Sequence, residues 1–180
     1  VFDLGRKMRA RVAADVSSTP SCPTVFVNLH PKDLLDDDLY DAGAPLSAMA
    51  ARAVLEITER GTLDHVADVG LRMDRLRRLG FRIAIDDLGA GYAGLNSLVQ
   101  LQPDVVKLDM VLIRNVDRDE SRQRVVSALI NLSERMNMRV ICEGVETVAE
   151  RDYLASVGGD WHQGYLYARP GAPMPVVGWG

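Results

Sequence analysis

Ile85-Asp86-Asp87-Leu88-Gly89-Ala90-Gly91-Tyr92 places two adjacent carboxylates at the end of a largely apolar run, 81–85, and follows them with a glycine-rich turn. Neighbouring like charges raise each other's pKa unless a positive charge stands beside them. A divalent cation is the simplest such partner, because hard cations take carboxylate oxygens. The stretch is informative only if other strands end in matching polar groups.

They do. Short apolar, β-rich runs alternate with longer amphipathic segments along the chain. The pattern predicts strands over 25–29, 53–58, 81–85, 105–108 and 139–142, with short strands at 161–163 and 166–168. It predicts a helix over 64–79, where Val66, Val69, Met73 and Leu76 recur at helical spacing and Gly80 stops it. Further helices are predicted over 118–136, with Val125, Leu129 and Leu132 on one face, and over 148–157, closed by Gly158-Gly159. The C-terminal ends of successive strands carry Asn28, Glu56, Asp86 with Asp87, Lys107, Glu143 and Gln163. Their spacing averages about 27 residues, the size of a βα unit. Alternating strands and helices imply a parallel sheet covered by helices. A (β/α)8 barrel gathers all its strand ends on one face, whereas an open doubly wound sheet offers a single switch point. Groups on six strand ends favour an α/β fold of the TIM-barrel type.

Composition narrows the function. The 180 residues suit a single domain, 1–180, with a sizeable core. A net charge of -4 gives no support to a DNA-coating role. Cys22 and Cys142 stand in no CxxC pair, and His30, His65 and His162 supply no zinc spacing. The histidines read as surface or packing residues and Cys142 as a small core residue. No apolar run approaches the roughly 20 residues of a membrane span, and residues 1–6 lack the apolar stretch of a signal peptide. The expectation is a cytoplasmic chain, or a cytoplasmic domain of something longer.

Six segments carry a resemblance to a known family. Asn28-Leu29, Glu56-Ile57-Thr58-Glu59, Asp86 to Tyr92, Val106-Lys107-Leu108-Asp109, Glu143-Gly144-Val145-Glu146-Thr147 and Gln163-Gly164-Tyr165 resemble, in order and spacing, the EAL-domain family. Its members hydrolyse the bacterial second messenger cyclic di-GMP to the linear dinucleotide. The likeness runs from about residue 1 to about residue 175 and implies a (β/α)8 TIM-like barrel. The Glu-Ala-Leu motif of the family's first strand, whose glutamate binds metal, has no counterpart here, so the barrel is expected to be incomplete at the N-terminus. Ala90 and Leu88 stand where many members carry threonine and phenylalanine.

The resemblance assigns roles. Phosphodiester cleavage by two divalent cations needs oxygen ligands of the kind Mg²⁺ or Mn²⁺ takes. Asn28, Glu56 and Asp86 would hold the first ion, with Asp86 bridging to a second held by Asp87. Lys107 would contact the attacking water or the phosphate, and Glu143 would act as general base or as a metal-linked carboxylate. Gln163 and Asp86 would face substrate, and Glu59 would anchor the loop after Asp87. A homodimer is implied, as is a fused sensor or cyclase-like domain outside this sequence.

Other readings stand beside these. Without the first-strand glutamate the chain is either a phosphodiesterase or a module that binds cyclic di-GMP without cutting it. Lys107 and Glu143 alternatively form a buried salt bridge, and Asp86-Asp87 alternatively cap a helix. A Schiff-base lysine of the aldolase kind is a third chemistry, opposed by the carboxylates that would keep Lys107 protonated.

Overall fold

The computed structural model describes residues 2–18, 24–58, 63, 66–90 and 94–171, with the side chains of 94 and 95 excepted. Glu59, Cys22, His65, Gly91 and Tyr92 lie outside the described residues. Six strands, in chain order β1 to β6, form one sheet in that same order. They are β1 Val25–Leu29, β2 Ala53–Thr58, β3 Arg82–Leu88, β4 Val105–Leu108, β5 Arg139–Glu143 and β6 Trp161–Gln163. The helices are α1 Asp3–Ser17, α2 Val69–Arg78, α3 Gly94–Leu101, α4 Met110–Ile113, α5 Glu120–Arg135 and α6 Val148–Ser156. Parallel strands in sequential order with helices between them are the arrangement of a (β/α)8 barrel. Among the described residues no helix is long and apolar enough to cross a membrane.

The chain divides into two compact units, Val1–Ile85 with Ala93–Pro103, and Asp86–Tyr92 with Asp104–Gly180. In the first, β1 and β2 pair in parallel, Asn28 opposite Glu56 and Leu29 opposite Ile57. Five of the six β2 residues are buried, as expected of a strand covered on both faces. The core takes in Leu29, Leu55, Ile57, Met73, Leu76, Ile83, Ile85 and Leu101. Leu98 and Leu101 of α3 thus serve the core. Helix α2 starts later than the 64–79 periodicity predicts, because Asp68 adopts left-handed backbone (φ 55°) and breaks the helix before Val69.

A buried ionic cluster ties α1 to the chain after β1. The Asp36 carboxylate, fully buried, accepts from Arg6 at 2.5 Å and Arg9 at 2.6 Å. Arg9 also lies 3.4 Å from Asp33. The Arg6 guanidinium, helped by Arg9 and the Asp38 N–H, outweighs burial and holds the Asp36 carboxyl down at about 2.

In the second unit, β4 pairs with β5 and β5 with β6, both in parallel, with Lys107 opposite Ile141 and Glu143 opposite Gln163. Every β4 residue is buried. Cys142 is buried, as its sequence context predicts, and burial pushes its thiol up to about 12. Helix α5 buries Val126, Ile130 and Ser133 and exposes Val125 (46%) and Leu132 (36%). The predicted face is off by one residue. Both sets have the same spacing, and Ser133 enters the core because its hydroxyl donates back to the Leu129 carbonyl at 2.8 Å. The predicted strand at 166–168 is instead a turn held by the Gly164 and Val145 carbonyls. Gly164 makes it possible, since a Cβ there would sit 2.1 Å from the Val145 carbonyl oxygen.

Three helices end alike. After α2, α5 and α6 the left-handed residues Gly80, Asn137 and Gly158 close the helix. In each, the next N–H reaches five residues back: Phe81 to Leu76, Met138 to Ser133, Gly159 to Leu154. These are Schellman closures, and each leads toward the next strand. At the start of α6, Thr147 and Glu150 form a reciprocal capping box. Glu150 does more than cap. Its buried carboxylate (residue 2% exposed) accepts from the N–H groups of Asn115 at 2.8 Å, Glu146 at 3.0 Å and Thr147 at 3.1 Å. Burial would raise this carboxyl, but the backbone N–H donors outweigh it and lower it below the usual range.

Asp36→Asn should cost about 3 kcal/mol in urea unfolding, since it leaves buried guanidinium charge poorly compensated. In the wild-type chain the carboxylate's contribution is present above its ordinary value of 3.8 and fades as pH falls toward 2. An acid titration of stability should show about 2 kcal/mol lost across that window on this account. Glu150→Ala should cost about 1–3 kcal/mol and speed amide exchange at 115, 146 and 147, whereas Glu150→Gln, keeping one acceptor oxygen, should recover part of both.

Candidate active site

Strand β3 runs through Leu88, so Asp86 and Asp87 lie within it rather than after its end at 85. In a regular strand two successive side chains point to opposite faces. Asp87 breaks that alternation with left-handed backbone (φ 59°), a conformation aspartate tolerates better than most residues. The Ala90 N–H then donates to the Asp87 carbonyl at 3.0 Å, turning the chain, and the Asp109 N–H donates to the Leu88 carbonyl at 3.1 Å.

Asp86, Asp87 and Glu143 each offer a carboxylate oxygen within 4.8 Å of the others. Lys107, from buried β4, sends its ammonium between two of them. Nζ lies 2.7 Å from Glu143 Oε1 and 3.1 Å from Asp86 Oδ1. All three side chains are sheltered, Lys107 at 7% exposure, Asp86 at 14% and Glu143 at 15%. The buried salt bridge between Lys107 and Glu143 that the sequence leaves open is thus present. Two carboxylates beside an ammonium favour its charged form, which argues against a Schiff-base lysine.

A cleft of about 330 Å³ opens beside this group, lined by Asp87, Asp109, Glu143, Gln163 and Tyr165 among others. Gln163 reaches it because β6 sets it opposite Glu143. Asp109 is buried and caps α4 through the Val111 N–H at 2.7 Å, a structural role. Glu146, a carboxylate of uncertain role from sequence, pairs with Arg114 on the same cleft wall. Tyr165 stands in the wall with the Arg169 guanidinium 4.6 Å over its ring.

The structure thus brings Asp86, Asp87, Lys107, Glu143 and Gln163 together. In the first unit, Asn28 and Glu56 form their own register pair, Glu56 buried and Asn28 exposed. His162 packs against Tyr167 and Gly159, as expected of a packing residue. Two supporting residues escape the sequence reading. Glu150 was signalled only by the Thr147-x-x-Glu150 capping pattern, and Arg114 by nothing local.

The donor set suits a hard divalent cation. Three carboxylates and one ammonium leave two negative charges, and all the nearby donors are oxygens.

A profile of the EAL domain matches residues 1–170. The chain is 32% identical over 154 residues to the probable cyclic di-GMP phosphodiesterase PdeA of Escherichia coli K12, covering 82% of this chain and 21% of that protein. It is 40% identical over 124 residues to the probable cyclic di-GMP phosphodiesterase PdeD of the same organism, covering 68% of this chain and 22% of PdeD. The chain therefore spans about a fifth of the length of these curated relatives. Among solved structures it is similar to the manganese/cyclic di-GMP complex of BlrP1 from Klebsiella pneumoniae, with TM-score 0.83 and 31% identity over 94% of this chain and 44% of that one. It is also similar to the cyclic di-GMP-bound form of a standalone versatile EAL protein from Vibrio cholerae O395, with TM-score 0.80 and 30% identity over 96% of this chain and 76% of that one. Strand order, motif order and domain profile agree, and the chain belongs to the EAL-domain family.

Proposed function

We propose that residues 1–180 act as one EAL domain that hydrolyses cyclic di-GMP to the linear dinucleotide. The observation that carries this reading is the cluster of Asp86, Asp87 and Glu143 carboxylates, two of which, Asp86 and Glu143, pair with the Lys107 ammonium. Family membership and the phosphodiesterase names of the relatives support it.

The residues that would hold Mg²⁺ or Mn²⁺ are Asn28, Glu56, Asp86 and Asp87. When bound, such ions supply an activated water and neutralise the phosphate. Glu143 would accept the proton of the attacking water or add a further oxygen ligand. Lys107 donates hydrogen bonds to the water or to a phosphate oxygen. Water adds to phosphorus, one ester P–O bond breaks, and the ribose oxygen leaves with a proton, opening the ring. Gln163, at the cleft rim opposite Glu143, donates or accepts a hydrogen bond to substrate or water. Glu59 anchors the loop after Asp87. We assign this activity to the cytoplasm, to a homodimer, and to a protein that carries a sensor or cyclase-like domain beside this one. The manganese and calcium complexes of BlrP1 support a divalent cation.

The test is chromatographic detection of linear product from cyclic di-GMP with Mg²⁺ or Mn²⁺. Turnover should be lost on chelation and fall by about a hundredfold or more in Asp86→Asn. An unchanged rate in that variant overturns the assignment. Tight binding of cyclic di-GMP by calorimetry with no product over hours would identify a receptor instead.

A further inference from the structure

We infer that Lys107 is a built-in counter-ion that competes with a divalent cation for Asp86 and Glu143, and so sets how tightly this site holds metal. The inference rests on the proposed reading that these carboxylates are cation ligands.

The geometry carries it. Asp86 Oδ1 and Glu143 Oε1 face the Lys107 ammonium at 3.1 and 2.7 Å, and the same two residues complete the oxygen cluster with Asp87. An ion entering that cluster must share carboxylates already engaged by a positive charge. It also meets that charge at short range, where little solvent screens it, since the lysine side chain is 7% exposed. All four residues of β4, Lys107 among them, are buried. The lysine has a second effect of opposite sign on the metal-free chain. Three sheltered carboxylates within 4.8 Å of one another repel, and one ammonium among them relieves that repulsion. Lys107 therefore stabilises the empty site and weakens the filled one. The balance makes occupancy responsive to the metal concentration rather than permanent.

The experiment uses Mn²⁺ alone, with no nucleotide, titrated into the full chain and read as free Mn²⁺ by electron paramagnetic resonance and as the shift in melting temperature. Lys107→Met keeps the length of the side chain and removes its charge, and Lys107→Arg keeps the charge. Lys107→Met should bind Mn²⁺ about ten- to a hundredfold more tightly than wild type. Its metal-free melting temperature should fall, and its gain on adding Mn²⁺ should exceed that of wild type. Lys107→Arg should bind within about threefold of wild type. Equal or weaker Mn²⁺ binding by Lys107→Met overturns the inference while leaving the ligand reading intact. Should Lys107→Met unfold without metal, refolding at Mn²⁺ concentrations below those that half-saturate wild type supports the inference, and failure of Mn²⁺ to restore the fold overturns it. Wild-type chain that binds no Mn²⁺, or binds it no better than Asp86→Asn, overturns the ligand reading and this inference with it.

Discussion

A protonated lysine inside a fully buried strand is the constraint around which the site is organised. Burying an ammonium is costly unless opposite charge and hydrogen bonds meet it. Lys107 is met by Asp86 and Glu143, from the strand ends on either side in the sheet order. The dependence is mutual. The carboxylates, half sheltered and crowded, are tolerable because the lysine is there. Apolar residues cover the strands of a parallel sheet on both faces, so polar groups concentrate where the strands end.

That arrangement depends on how each strand is entered. The Schellman closures at Gly80, Asn137 and Gly158 turn the ends of α2, α5 and α6 toward the strands that follow. The register that sets Glu143 beside Gln163 is therefore prepared by helix ends remote from any chemistry. Glu150 adds a second restraint. Its carboxylate joins the turn at Asn115 to the Glu146–Thr147 backbone, stiffening the loop that leaves Glu143. A residue that looks like a routine helix cap thus supports the cleft wall.

Membership of the EAL-domain family and the charge balance of the site agree. Carboxylate oxygens alone would favour a divalent cation strongly, and a lysine placed among them tempers that preference. Here the ammonium offsets one of the three negative charges of the cluster.

Much was legible before any coordinates. Polar residues at six strand ends, the stop at Gly80, the short strand at 161–163 and the buried Cys142 follow from periodicity, breakers and residue type, which act locally. The face of α5 was not legible, because 125/129/132 and 126/130/133 have identical spacing and only packing chooses between them. Nor was the turn at 166–168, since it depends on Gly164 lying against the Val145 backbone, a contact between segments distant in the chain. The sequence by itself determined which charged groups stand at the strand ends and in what order, because strand and helix periods are written in neighbouring residues. Only the tertiary structure decided that Asp86, Asp87 and Glu143 gather in one cluster, with Asp86 and Glu143 on one ammonium. That convergence needs left-handed backbone at Asp87 and strands brought side by side, and neither is encoded in a local pattern.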